Sequence, residues 1–424
     1  MWEKLKRVWK IKDLRNSILF ILAMLVIFRF AAHIPIPGIN LDALGELLES
    51  NQALGFLNVF SGGGMKNFSV VMLGVAPYIT ASIIMQLLTM IVPKLEALSK
   101  EGEYGRKKIN GYTRWLTIPL AIVQTFSMIS VLKSSSYNIV EGMSAWSLFM
   151  AIATITAGTV FLMWIGELIS EKKIGNGISV LIFAGIISSL PTAVQNLLIN
   201  FDQSQIITLV VFAIIAIATI IGVVIITEGQ RNIPITYTRH MQGSAAYGGI
   251  NSHLPLRVNI AGVIPIIFAI SMMLVPPMIG QLFMTAKTAW IASFASSIVA
   301  LWQNQVFYTI LYFVLVIAFT YFYTAVIFHP KQIAENLQKQ GGFIPGIRPG
   351  RETAEYLQGV INKLLIVGST FLGLIAIMPF VVQVFLQSDV LRIGGTSLLI
   401  VVSVVIEMIK QINAQLVMRD YEAF

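Results

Sequence analysis

Ten stretches of nearly uninterrupted apolar side chains, near residues 17–35, 72–92, 115–133, 146–169, 178–199, 206–227, 258–280, 306–328, 364–386 and 395–416, alternate with short polar intervals along the chain. A bilayer core about 30 Å thick needs roughly 20 such residues per helix, so the pattern predicts ten transmembrane helices and an all-α polytopic membrane protein. An even number of spans puts both termini on one side. The polar intervals say which side: 24 of the 29 lysines and arginines lie before the first run, in every second interval after it, or around the C-terminal end. Four lie in the alternate intervals, and Arg29 sits inside the first run. By the positive-inside rule both termini are cytosolic, as are the long loops 228–257 and 329–363, in a multi-pass protein of the cell membrane.

Several segments depart from simple spans. Residues 1–16 place Trp2, Leu5 and Trp9 at helical spacing between lysines, the pattern of an amphipathic helix on an anionic leaflet. The basic leader and first apolar run also fit a signal peptide, but the Ile34-Pro35-Ile36-Pro37-Gly38 context and nine further runs favour a retained span. Arg29 is costly in hydrocarbon; in the outer half of its span it reads as a structural anchor that snorkels or pairs before it reads as a ligand. The stretch 57–71, which includes Ser61-Gly62-Gly63-Gly64, is too short and glycine-rich to span and too apolar for a solvated loop. It reads either as a re-entrant segment or as an outer loop packed on the bundle, and irregular backbone at membrane depth survives only against protein or a water-filled cavity. Val75, Ile79 and Ile83, and Ile178, Ile182 and Ile186, recur one helical turn apart, a spacing more common in packing or lipid-facing stripes than in functional sites. Five runs on either side of the 228–257 loop permit two halves, 17–199 and 200–424, of opposite topology.

Composition narrows the chemistry. The 424 residues are 56% hydrophobic and 12% charged, against about 25% charged in a soluble domain. Cysteine is absent, so thiolate chemistry and disulfides are excluded. The four histidines lack ligand spacing, and no phosphate-cradling glycine-lysine-hydroxyl motif occurs. Neither a metal nor another cofactor is implied. Glu167, Glu228 and Glu407 lie near the cytosolic ends of their runs, whereas ion-coupled transporters place ionisable groups at depth. A channel and a secondary transporter of small solutes both remain, and residue patterning alone favours the transporter; a membrane enzyme lacks any plausible constellation.

Particular strings add what patterning cannot. Ile34-Pro35-Ile36-Pro37-Gly38, Gly74-Val75-Ala76-Pro77-Tyr78-Ile79-Thr80-Ala81-Ser82, Gly175-Asn176-Gly177-Ile178-Ser179, His253-Leu254-Pro255-Leu256-Arg257, Ala261-Gly262-Val263-Ile264-Pro265, GGFIPGIRPG at 341–350 and Gly394-Gly395-Thr396-Ser397 closely resemble the bacterial SecY family, in family order. The resemblance implies two pseudo-symmetric five-helix halves around a central pore that conducts unfolded secretory polypeptides and releases membrane segments sideways, making and breaking no bond itself. It implies a pore ring of Val75, Ile79, Ile178, Ile182, Ile267 and Ile400. It implies a plug within 58–70, including Phe60, Ser61, Gly62, Gly63, Gly64, Met65 and Phe68, and lateral-gate polar positions at Thr80 and Gln124. The implied partners are SecE, SecG, the ATPase motor SecA, the ribosome, signal sequences and unfolded preproteins, with membrane lipid at the gate. Arg239, Arg348 and Arg351 are the implied contacts for the motor or ribosome. By physics alone the 341–351 loop reads first as a surface loop whose arginines enforce topology, although planar guanidinium donors suit carboxylates and phosphates. In one respect the chain departs from the family: Gly243 to Ala246 is uncharged where a basic pair is common, which weakens the expectation of ribosome docking there, since attraction to RNA depends on phosphate neutralisation.

Overall fold

The computed structural model describes residues 8–50, 55, 58, 61–134, 139, 144–199, 206–237, 251–284, 288–386 and 395–422. Each of the ten apolar runs contains a helix. In chain order the helices are α1 (Lys12–Ala31), α2 (Leu41–Ser50), α3 (Ala76–Ile91), α4 (Pro93–Lys100), α5 (Glu103–Ser134), α6 (Ala145–Glu171), α7 (Gly177–Ile199), α8 (Ile206–Glu228), α9 (Ile264–Met284), α10 (Ala289–Gln303), α11 (Gln305–Ile327), α12 (Pro330–Lys339), α13 (Arg351–Leu386) and α14 (Gly395–Glu422). Among the described residues seven helices are long and apolar enough to cross a membrane, or eight if α3 and α4, bent by 100°, form one broken span. The bend falls at Val92, which is extended because Pro93 follows it. α7 and α8 are apolar over shorter stretches, Gly177–Thr192 and Ala213–Glu228.

Contacts divide the chain into two compact units. One comprises Met1–Ile206, Ile270–Tyr308 and Val404–Phe424; the other comprises Ile207–Ala269 and Thr309–Ser403.

In the first unit α2 packs Leu44 and Leu48 with Met65 and Phe68 against Met128 of α5 and Ile155 of α6, all buried. The helices approach closely where glycine removes the side chain. A β-carbon at Gly177 would collide with the carbonyl of Gly166, so α6 and α7 touch backbone to backbone at the start of α7. Ser170 completes that corner: its hydroxyl donates to the Gly166 carbonyl at 2.9 Å and accepts the Gly177 amide at 2.9 Å. The turn between α6 and α7 is held by the far end of the chain. Gln411 accepts the Gly175 amide, and Gln415 Nε2 donates to the carbonyls of Lys173 at 2.8 Å and Lys172 at 3.4 Å. At the N-terminus Val8 is buried and Trp9 exposed; Trp2 and Leu5 lie outside the described residues.

The second unit adds a feature to the helical architecture. The 228–257 loop contains a hairpin of β1 (Gln230–Tyr237) and β2 (Asn251–Arg257), joined by β3 (Gly342–Phe343) in the order β2-β1-β3. The strands are antiparallel, with Ile233 opposite Leu254 and Tyr237 opposite Gly342. β3 pairs only with Thr236 and Tyr237, so Pro234 sits where β1 has a neighbour on one side alone, as a residue without an amide hydrogen requires. Ile233 and Leu256 pack on Ile344 and on Leu357 and Ile361 of α13. That core fixes the hairpin to the base of the ninth apolar run.

Gly177→Ala is expected to force α6 and α7 apart, at a cost of about 1–3 kcal/mol. Thermal unfolding of the purified protein in detergent checks this; an unshifted transition would mean that the corner yields freely.

Candidate functional site

The chain between α2 and α3 has no regular helix from Ser61 to Val75; it runs through successive turns. Gly62 and Gly63 take left-handed φ values of 66° and 81°, where a β-carbon costs energy. Phe68, at φ 42°, adopts the same region without being glycine, a conformation that costs on the order of 1–3 kcal/mol and persists only when its surroundings fix it. They do: its side chain is wholly buried, and Ser61, Met65 and Ser69 are buried with it. The segment is thus built into the first unit, not laid over it.

Much of its backbone is hydrogen-bonded to protein. Asn58 accepts the Gly63 amide on its carbonyl and the Lys66 amide on Oδ1, both at 2.8 Å. Ser61 Oγ accepts the Met65 amide at 3.1 Å. Along the end of α1, Ile36 donates to the Phe68 carbonyl at 2.9 Å, and Val70 donates to the Ile34 carbonyl at 3.1 Å. Asn67 Nδ2 donates to the Ala32 carbonyl at 3.2 Å. Arg29, the cation inside the first span, donates from its guanidinium to the Gly62 carbonyl. The intramembrane charge therefore has a backbone partner in the segment expected to form the plug. A β-carbon at Gly62 would meet the Phe28 ring at 2.9 Å and the Gly185 Cα of α7 at 3.2 Å, and one at Gly158 of α6 would collide with the Val70 carbonyl. Phe60 lies outside the described residues.

Of the expected ring, Val75 and Ile79 fall at the start of α3 and Ile178 and Ile182 on α7, each pair one turn apart in the first unit. Val75, Ile79 and Ile182 are buried; Ile178 is half-buried, its Cδ1 set against Gly166. Ile267 and Ile400, both buried, belong to the second unit, where the neighbouring Phe268 stacks edge-on with Phe319 and Tyr323. The structure brings the two expected gate residues together: Gln124 Nε2 of α5 donates to Thr80 Oγ1 of α3 at 3.4 Å, and Thr80 donates onward to the Ala76 carbonyl at 3.1 Å. Both are buried.

The 341–351 loop is anchored rather than loose. Gly342 and Phe343 form β3, Ile344 is buried in the hairpin core, and the Ile347 amide turns back to the Ile344 carbonyl at 3.0 Å. Gly346 and Gly350 supply left-handed turns at φ 82° and 102°. Thr353 Oγ1 fastens the Arg348 carbonyl at 2.9 Å while the Arg348 side chain stays exposed. Arg351 is exposed too; its Nε donates to Glu355 Oε1 at 2.8 Å, which raises the guanidinium above its usual pKa range. Arg239 and Gly243 to Ala246 lie outside the described residues. Sequence reasoning missed Asn58, Ser127 and Gln411. The signal for the last two was a polar side chain recurring one helical turn apart in an apolar run, Gln124, Ser127 and Ser130 in one and Glu407, Gln411 and Gln415 in the other; for Asn58 it was an asparagine just ahead of a Ser-Gly-Gly turn.

The family model for SecY matches residues 69–409. A protein translocase subunit SecY from Halalkalibacterium halodurans is 41% identical over 440 residues, covering 100% of both chains. Among solved structures, a SecY protein whose plug domain stabilises the closed state of the translocation channel and maintains a membrane seal superposes with a TM-score of 0.63 at 19% identity, covering 93% of this chain and 91% of its own. The Sec61 channel of a canine ribosome–channel complex from the endoplasmic reticulum gives 0.61 at 18% identity with the same coverage. At these identities the two structures establish a shared fold.

Phe68→Ala removes a wholly buried ring from the 61–75 segment, a change that costs about 3–5 kcal/mol in a packed core. Hydrogen exchange of residues 61–75 is expected to accelerate by more than tenfold while α6 stays protected. Equal protection in the variant would show that the segment is held by its hydrogen bonds alone.

Proposed function

From the premise that the chain belongs to the SecY family, we propose that it is the central subunit of a protein-conducting channel, moving unfolded secretory polypeptides across the cell membrane and releasing membrane segments sideways into lipid. The observation that carries this reading is the buried, irregular segment 61–75 lying against α1, α6 and α7 and tethered through its backbone by Arg29. Among the described residues the membrane-depth cation serves that segment, an economical use of a charge that a solute transporter would direct at its substrate.

The mechanism follows from elementary constraints. A polypeptide cannot cross hydrocarbon with its amides unpaired, so the path must be wet except at a short constriction. The residues assigned to that waist are Val75, Ile79, Ile178, Ile182, Ile267 and Ile400. Aliphatic walls offer neither water nor hydrated ions a hydrogen bond, so the constriction resists wetting and ion flow. They also give a sliding chain nothing fixed to hold. The 58–70 segment, Phe60 included, plugs the outer funnel at rest and moves aside for a translocating chain. The Thr80–Gln124 pair lies at the lateral gate, where a signal sequence with an apolar stretch of about 7–15 residues exchanges the aqueous path for lipid, gaining about 25 cal/mol per Å² of apolar surface removed from water.

Two halves, 17–199 and 200–424, enclose the pore. Both termini face the cytosol, as does the sheet-bearing platform of the 228–257 and 329–363 loops; the distribution of lysine and arginine supports this orientation. The energy comes from partners. SecA or the ribosome docks on the platform through Arg239, Arg348 and Arg351, SecE clamps the halves and SecG lies at the periphery. The anchored geometry of Arg348 supports docking over a purely topological role, since a charge that only enforces orientation needs no fixed backbone.

A labelled preprotein added to vesicles containing the chain with SecE is expected to become protease-protected only when SecA and ATP are present; protection without them, or none with a folded complex that binds SecA, would defeat the channel reading. Replacing Ile79 and Ile182 together with serine should wet the waist and raise resting ion conductance in a planar bilayer, and unchanged conductance would remove them from the ring. Arg348→Glu should lower motor-driven transport at least fivefold with normal folding. Normal coupling in that variant would return Arg348 to orienting the chain.

A further inference from the structure

α9 carries two adjacent prolines in its interior, Pro276 and Pro277. Neither has an amide hydrogen, so the carbonyls four residues earlier, on Met272 and Met273, lose their helical donors. In water a solvent molecule would replace them. At membrane depth none is available, and each carbonyl needs a protein donor or a wet surface.

Met273 is buried, and its carbonyl is supplied from outside the helix: the indole Nε1–H of Trp302 donates to it at 2.8 Å. Trp302 lies on α10, where Ala295, Val299 and Trp302 follow at i, i+4 and i+7 and so share one face. That face lies along α9, because a β-carbon at Gly280 would stand 3.1 Å from Val299 Cγ2 and 3.3 Å from the Ala295 carbonyl. Phe307 sets the indole ring edge-on, with centroids 5.4 Å apart. From α5, Ser127 Oγ donates to the Met278 carbonyl at 2.7 Å, one residue beyond the proline pair. The broken turn of α9 is therefore held at two points, Met273 by α10 and Met278 by α5, all within the first unit.

We propose that Trp302 is a positioning residue of the lateral gate, where α9 meets α5, the helix that carries Gln124: its indole N–H substitutes for the hydrogen bond that Pro277 removes, and so fixes the proline-interrupted turn of α9. Indole is suited to the task because it donates and does not accept; it satisfies the orphaned carbonyl without introducing a second unmet group. The two holds differ in kind. Trp302 belongs to α10, next to α9 in sequence, and travels with it, whereas Ser127 ties α9 to α5. Parting α5 from α9 breaks the Ser127–Met278 bond and leaves the Trp302–Met273 bond in place. Trp302 thereby sets how readily a signal sequence of marginal hydrophobicity can enter. This consequence rests on the channel reading; the hydrogen-bond substitution does not.

The experiment is a double-mutant cycle between Trp302→Phe, which keeps an aromatic ring and deletes the donor, and Pro277→Ala, which returns a backbone donor to Met273. The full chain is reconstituted with SecE in lipid nanodiscs and followed by hydrogen exchange. Trp302→Phe alone should accelerate exchange of the α9 amides between 274 and 284 about fivefold, the value of one ordinary hydrogen bond, with α6 unchanged. In the Pro277→Ala background the same substitution should have no effect. An equal effect in both backgrounds would mean that Trp302 acts by packing alone, and no effect in either would remove it from α9 altogether; both overturn the proposal. The same four proteins are then assayed for SecA-driven protection of a preprotein with a shortened signal sequence. Trp302→Phe should admit severalfold more of it, and the double variant no more than Pro277→Ala. Coupled exchange with unaltered admission would overturn the gate role. If the unsubstituted chain protects no preprotein of any kind, the channel reading fails instead, and the exchange cycle still decides the hydrogen bond.

Discussion

Hydrocarbon supplies no hydrogen bonds, and the structure of this chain depends on how each backbone group that leaves a helix finds a partner. The 61–75 segment is the demanding case, because it abandons regular structure for 15 residues beside membrane helices. Its answers are specific: Asn58 for two amides, Ile34 and Ile36 for a short bridge at Ser69 and Pro35, and Arg29 for the Gly62 carbonyl. Arg29 resolves two problems at once, since a cation in a span and a carbonyl without a helix each destabilise alone. The proline-broken turn of α9 poses the same problem on a smaller scale and is answered by an indole.

Close packing follows from the same constraint. Without a hydrophobic drive between helices in lipid, association relies on contact and on hydrogen bonds, and both improve when backbones approach. Gly158 against Val70, Gly166 against Gly177 and Gly62 against Gly185 are three such approaches in one unit. They bring carbonyls within reach of short donors such as Ser170. The aliphatic residues expected at the waist, Val75, Ile79 and Ile182, project from helices whose positions these glycines set.

The helices of the ten apolar runs were legible because twenty-residue apolar runs leave little freedom; each run contains a helix, and among the described residues seven or eight of these are long and apolar enough to span. Helix ends were less legible: α5 and α13 extend a dozen residues ahead of their apolar runs on polar sequence that periodicity in hydrophobicity does not flag. The hairpin escaped notice for a physical reason. Ile233 and Ile235, and Leu254 and Leu256, alternate as strands do, but Pro234 and Pro255 interrupt them, and proline argues against a strand unless its amide side is unpaired. Arg29 was legible as an anchor and not as the anchor of a particular carbonyl, because its partner lies 33 residues away. Thr80 and Gln124 were singled out by the family resemblance; nothing in either local sequence says that they meet. The long-range partners Gln411 and Gly175, 236 residues apart, were beyond any local pattern.

The sheet in the second unit joins stretches of chain more than a hundred residues apart. β1 leaves α8 directly, β3 leads through a short turn into α13, and the two strands share an edge at Tyr237 and Gly342. Ile344 then buries itself among residues of both. The two loops are mechanically one part. Force applied to either is delivered to α8 and α13 together, and neither can be exchanged between relatives without carrying its counterpart along. Evolution of this sheet must proceed by paired change, and chimeras that transplant one loop alone will inherit a mismatched edge.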